Sequence, residues 1–332
     1  MNAIVKSPFA WLLKREYWEH RRSFLRTQWI IAAVVVALTI LGIIAAEAWG
    51  VRTGNNIQIG FNGSLTGALQ NGMNQHMDAL VQGLDMTMLS FGIFAAIALF
   101  FVVFFYLLGA LYEDRRDRSI LFWKSLPISD TTTVISKVIA AIILAPVIAV
   151  LVVLAGYIAE QIVMSIWFGA HGLNPFTLLW AHTDPFATWL HLVAAIPVDA
   201  VWALPTVGWL LFWSAAVRSK PFLWAVFIPI IAGVLNFWVA LLGLPHADPQ
   251  FFWGDLVGRA LLSVFPGSWI AVYRNDPSMI NHLVDMGVAD RHVGTYGMMY
   301  GTFLTPDMWI GAAVGIGLIA VAIWFRRWRD EA

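Results

Sequence analysis

Among the polar side chains inside long apolar runs of the sequence, Glu160, Asp199 and Asn236 stand out as candidates for chemistry. Such a group marks a substrate or ion path by default, because burying it in lipid is costly. Depth along the helix decides its weight. At 1.5 Å per residue, Glu160 lies about 34 Å from Lys137, Asp199 about 27 Å from Val217 and Asn236 about 24 Å from Lys220. All three therefore fall in the outer half, near the lipid–water boundary. Solvation there explains Asp199 and Glu160 at least as well as contact with a transported molecule, so the three stand as candidate translocation-path residues only. No chain of acids crosses the apolar runs, which argues against proton-coupled transport. Enzyme chemistry is missing too. The histidines are scattered, and His171, His182, His246, His282 and His292 fall in predicted outer loops. No H-E-x-x-H, G-x-S-x-G or histidine pair at metal spacing occurs. Cysteine is absent, which removes disulfides, thiolate metal sites and a Cys nucleophile. No catalytic residue and no metal ligand is assigned.

The elements that position these residues are membrane helices. Of 332 residues, 60% are hydrophobic and 12% charged, against about 25% charged in a soluble domain. Mean hydropathy is +0.73. This composition excludes a disordered chain, a basic nucleic-acid-binding protein and an ordinary cytosolic enzyme. About 20 apolar residues cross a bilayer core. Six runs qualify, at 29–46, 86–111, 138–168, 194–217, 221–244 and 308–325. The fourth is interrupted by Pro197, Asp199 and Pro205. The fold class read from this pattern is an all-α integral membrane protein with six transmembrane helices.

An even number of spans places both termini on one side. Sixteen of the twenty Lys and Arg fall there: in the first 28 residues, the 112–137 loop, the Arg218–Lys220 link and the tail. Only Arg52, Arg259, Arg274 and Arg291 fall opposite. The positive-inside bias makes both termini cytoplasmic. Residues 1–28 read as a cytoplasmic interfacial helix, with Phe9, Leu12, Leu13, Tyr17, Phe24 and Leu25 alternating with charges. No cleaved signal peptide is expected.

The outer loops are 47–85 and 245–307. In the first, Leu65, Leu69, Met73, Met77, Leu80 and Leu84 follow helical spacing. In the second, apolar residues 251–264 are too short to span, Pro266-Gly267 breaks them, and 268–273 is apolar again. That pattern fits a re-entrant hairpin before the last span.

The most informative cytoplasmic stretch follows the second span. Glu113, Asp114, Arg115, Arg116, Asp117 and Arg118 lead into Ile120–Leu126, which Pro127 ends. This fits a short helix across the membrane face, with Ser129 and Asp130 capping the next helix. A plain positive-inside loop accounts for the arginines but leaves Phe122, Trp123 and Leu126 with nothing to pack on. No G-x-x-x-x-G-K-[ST] occurs, so the chain carries no nucleotide-binding P-loop.

Here the sequence resembles the ABC-2 family of ABC-transporter permeases. The carriers are Glu113, Arg115-Arg116, Leu126-Pro127-Ile128-Ser129 and Lys137 in the second loop, and Lys14-Arg15-Glu16 with Glu19-His20-Arg21-Arg22 before the first span. Ser119-Ile120 stands where the family has a Gly-Thr-like pair. The resemblance implies a permease subunit, in most such families an exporter, driven by a separate ATPase. The 113–127 segment would be the coupling helix, with Phe122, Trp123, Leu126 and Pro127 in the ATPase groove. Glu113, Arg115, Arg116 and Lys124 would rim it, and Glu16 and Arg21 would brace it. It further implies two ATPase copies, a second permease chain (identical or not) and the bacterial cytoplasmic (inner) membrane. ATP and Mg would belong to the ATPase; this chain needs no cofactor and meets lipid but no nucleic acid. The competing class is a self-sufficient secondary transporter or channel. The transported substrate and the direction of transport are not readable from the sequence.

Overall fold

Why a helix forms, bends or stops is set locally by caps, prolines and glycines. The computed structural model describes residues 8–53, 91–117, 128–172, 174–180, 185–275 and 288–328. Among them every regular element is helical. Helix α1 (Pro8–Arg21) passes through a π-turn at Arg22–Arg26 into α2 (Thr27–Thr53). Then come α3 (Phe91–Arg116) and α4 (Asp130–Ala170), followed by α5 (Pro185–Trp202), α6 (Leu204–Ala216) and α7 (Pro221–Leu241). A π-helical stretch Phe251–Val257 leads into α8 (Gly258–Leu262). A 3-10 segment Ser268–Asn275, α9 (Val288–Gly301) and α10 (Pro306–Trp328) complete the chain.

Among the described residues five helices are long and apolar enough to cross a membrane, or six if the bent pair α5–α6 is one span. That pair bends by 53°. Pro205 explains the bend: it has no N–H to donate and its ring crowds the preceding turn. Where the third span was expected at 138–168, the helix begins earlier, at Asp130. The Ser129 hydroxyl caps it by accepting from the Thr132 N–H at 3.1 Å.

The chain divides into two units. One holds residues 25–98 and 148–192. Its core joins Ala32 on α2, Phe91 and Ala95 on α3, and Val152, Val153 and Tyr157 on α4. At the far ends of α2 and α4, Glu47 Oε1 accepts from Trp167 Nε1 at 2.8 Å and pairs with His171 Nε2 at 2.9 Å.

The other unit holds residues 1–24, 99–147 and 193–332. Here α6 and α10 cross backbone to backbone at Gly208 and Gly315, where a Cβ on either would overlap the other helix. The expected hairpin is present as two short helical pieces. Gly267, at φ +79°, makes the turn between them, and its N–H donates to Asp199 Oδ1 at 2.9 Å. The Thr206 hydroxyl donates to the Arg259 carbonyl at 2.7 Å and accepts from the Ser263 N–H at 3.0 Å, which fixes the hairpin on α6. Helix α9 was not expected, since 245–307 read as loop and hairpin only. Its Met298 and Met299 are buried with Val198, Trp202, Trp269 and Met308. Three glycines in 14 residues dilute its apolar pattern, so packing rather than periodicity defines it. The amphipathic repeat at 65–84 lies outside the described residues.

Candidate functional site

The charges around the end of α3 form one buried junction. Glu16 projects from α1 and is 0% exposed. Its Oε2 accepts from the Tyr106 hydroxyl at 2.8 Å. Its Oε1 lies 3.3 Å from Lys137 Nζ and 3.0 Å from Arg15 Nη2. Lys137, on α4 and 2% exposed, also reaches Asp114 Oδ2 at 3.6 Å. Arg326, near the end of α10 and 3% exposed, donates to Asp114 Oδ2 at 3.0 Å and to Asp130 Oδ1 at 3.1 Å. The order Glu16–Lys137–Asp114–Arg326–Asp130 thus alternates in sign across α1, α4, α3 and α10. With Arg15 the junction balances three anions with three cations.

Such balance is required. A charge removed from water is tolerated only when paired and hydrogen-bonded. Buried pairs of this kind add more to uniqueness than to net stability. Breaking one strands its partner. The junction therefore holds these ends of the helices in one arrangement, beside the end of α3 and the start of α4.

Beside it, Arg115 is buried and Nη2 donates to the Ser214 and Val217 carbonyls at 2.6 and 2.9 Å. Those carbonyls belong to the C-terminal end of α6, where a cation complements the helix dipole. The Ser214 hydroxyl accepts from the Leu111 and Tyr112 N–H groups, each at 3.0 Å. The start of the loop is thereby clamped to α6 as well.

Residues 81–179 match the family described as ABC-2 family transporter protein. This segment is therefore similar to that of ABC-2 type permeases. It spans α3, the second loop and α4, so it contains Asp114, Asp130 and Lys137 of the junction, while Glu16 and Arg326 lie outside it. No curated protein and no solved structure matches the chain.

The expected contact residues sort into three groups. Glu113, Arg116 and Arg21 are exposed. Arg116 pairs with Asp117 at 3.0 Å. Arg115 and Glu16 are not on an accessible rim: both are buried and committed to internal partners, because an unpaired buried charge would be far costlier. Phe122, Trp123, Lys124, Leu126 and Pro127 lie outside the described residues. Sequence reading missed Tyr106, Asp114, Asp130, Lys137, Ser214 and Arg326 as a set. A lysine at the mouth of an apolar run was a signal, but its partners sit on distant parts of the chain.

The three path candidates are not brought together as one site. Asp199 holds the hairpin turn through the Gly267 N–H. Asn236 closes the loop after α7, donating to the Ala247 carbonyl at 3.0 Å and accepting its N–H at 2.9 Å. Glu160, in the other unit, accepts from the Thr39 hydroxyl at 3.3 Å. Asp199 and Asn236 thus serve backbone closure, as solvation near the boundary allowed.

Proposed function

We propose that this protein is a permease, the membrane subunit of an ATP-binding cassette exporter driven by a separate ATPase docking on the 113–127 segment. The observation that carries the reading is the buried junction. It anchors the start of that segment to α1, α4, α6 and α10, so a push on the loop is delivered to four helices as a unit. Rigid-body transmission of this kind suits a two-state access change. ATP and Mg are bound by the partner, present in two copies, and a second permease chain, identical or not, completes the pathway. Both termini face the cytoplasm of the bacterial inner membrane, by the Lys and Arg distribution. Phe122, Trp123 and Leu126 enter the ATPase groove ahead of Pro127, with Glu113, Arg116 and Lys124 at its edge.

The test is co-purification with a P-loop ATPase, sought first among the products of the neighbouring reading frames. Truncating a buried aromatic anchor commonly costs about 2 kcal/mol or more, a rim charge less. Trp123→Ala should therefore lose most of the complex and its ATP turnover, with Lys124→Ala close to the parent at matched expression. If Trp123→Ala and a Phe122→Ala/Leu126→Ala variant both assemble and turn over normally, the segment is only a connector.

A further inference from the structure

Helix α1 carries a repeat on its exposed side: Trp11-x-x-Lys14, then Trp18-x-x-Arg21 seven residues on. Three-residue and seven-residue steps share one helix face. The opposite side is committed inward, with Leu12, Glu16 and Phe24 buried. On the repeat side Trp11 and Trp18 are 54% and 53% exposed. Each indole carries its own cation: Lys14 Nζ stands 5.0 Å from the Trp11 ring and the Arg21 guanidinium 5.1 Å from the Trp18 ring. Arg22 and Arg26 extend the exposed positive charge. The exposed carboxylate nearby, Glu19, is engaged by Arg15 at 3.1 Å.

We infer that this face binds the headgroups of anionic phospholipids. Charge complementarity selects the occupant: two or more cations stand in a row. Each lies beside a ring whose apolar body and polar N–H suit the headgroup level. A basic residue near an anionic leaflet gains affinity without a shaped groove. Position agrees, because Arg21 is six residues ahead of Thr27, where the membrane-crossing apolar helix begins. The surface thus takes Arg21 away from the ATPase and gives it to lipid. The inference rests on the cytoplasmic placement of α1 but not on the ATPase docking.

The experiment titrates short-chain phosphatidylglycerol, short-chain phosphatidylcholine and inorganic phosphate separately into the purified full chain in neutral detergent, reading binding by thermophoresis. Phosphatidylglycerol should saturate. Phosphatidylcholine and phosphate should not, because one lacks net charge and the other lacks the acyl body. Lys14→Gln/Arg21→Gln should weaken phosphatidylglycerol binding about 30-fold, the factor two surface cations supply. Trp11→Ala/Trp18→Ala should weaken it as well, and Lys14→Arg should restore the parent value. All these positions are exposed, so folding is retained, and an unchanged melting midpoint checks it. Equal phosphatidylglycerol affinity in the parent and the charge variant overturns the inference. So does a charge variant that keeps lipid affinity but loses ATPase capture, which would make the face a protein surface. Loss of ATPase capture in Trp123→Ala with lipid binding intact leaves this inference standing.

Discussion

Replacing Lys137 by Met should destabilise the protein by about 3–5 kcal/mol, the range for removing one partner of a buried ion pair. Lys137 is 2% exposed and lies between Glu16 Oε1 and Asp114 Oδ2. Methionine keeps the stem volume but removes the ammonium. Glu16, 0% exposed, would retain Arg15 and the Tyr106 hydroxyl. Asp114 would keep Arg326 at 3.0 Å but lose the ammonium. The expected result is a large fall in the melting midpoint, read by fluorescence-detected size exclusion in detergent. Adding Glu16→Gln should recover much of the loss, because a neutral pair no longer strands a charge. A Lys137→Met chain that melts like the parent would show that the junction carries no energy.

Gly315→Val should separate α6 from α10. A Cβ on Gly315 would overlap the backbone carbonyl of Leu204, and one on Gly208 would overlap the carbonyl of Gly315. Backbone cannot rotate aside as a side chain does, so the helices must move apart. Small residues permit this close approach in a membrane. Overpacking costs about 1–3 kcal/mol, occasionally more. Gly317→Val makes the control, since a Cβ there meets nothing within 4 Å. The melting midpoint should fall for position 315 and hold for position 317. Equal midpoints would mean the crossing is looser than its geometry.

These two sites show what the sequence could and could not disclose. Hydropathy located the apolar runs because each needs only local composition. The Ser129 cap and the Pro266-Gly267 break were legible for the same reason. The resemblance implied a rim role for Arg115, and nothing local in the sequence spoke against it. Its burial follows from carbonyls at Ser214 and Val217, far along the chain. Glu16 was assigned outward for a similar reason, and its lysine partner sits on another helix. Helix α9 escaped because its glycines weaken the pattern and its burial comes from Trp202 and Trp269. The Trp-x-x-cation repeat of α1 lay in plain sequence. Its meaning needed the knowledge of which side is buried.

The central claim is that an ATPase sits on the cytoplasmic segment after α3. The natural chain has no cysteine, so a single Lys124→Cys is the sole thiol of this subunit. Labelled with a maleimide photo-crosslinker in membranes co-expressing the ATPase, it should capture that subunit on illumination. Gly60→Cys, in the outer loop, should not. In intact cells a membrane-impermeant maleimide should react with Gly60→Cys and reach Lys124→Cys only after permeabilisation. Capture at position 124 and protection from outside is the result the account predicts. No capture in a complex that co-purifies, or labelling of Lys124→Cys in intact cells, would contradict it.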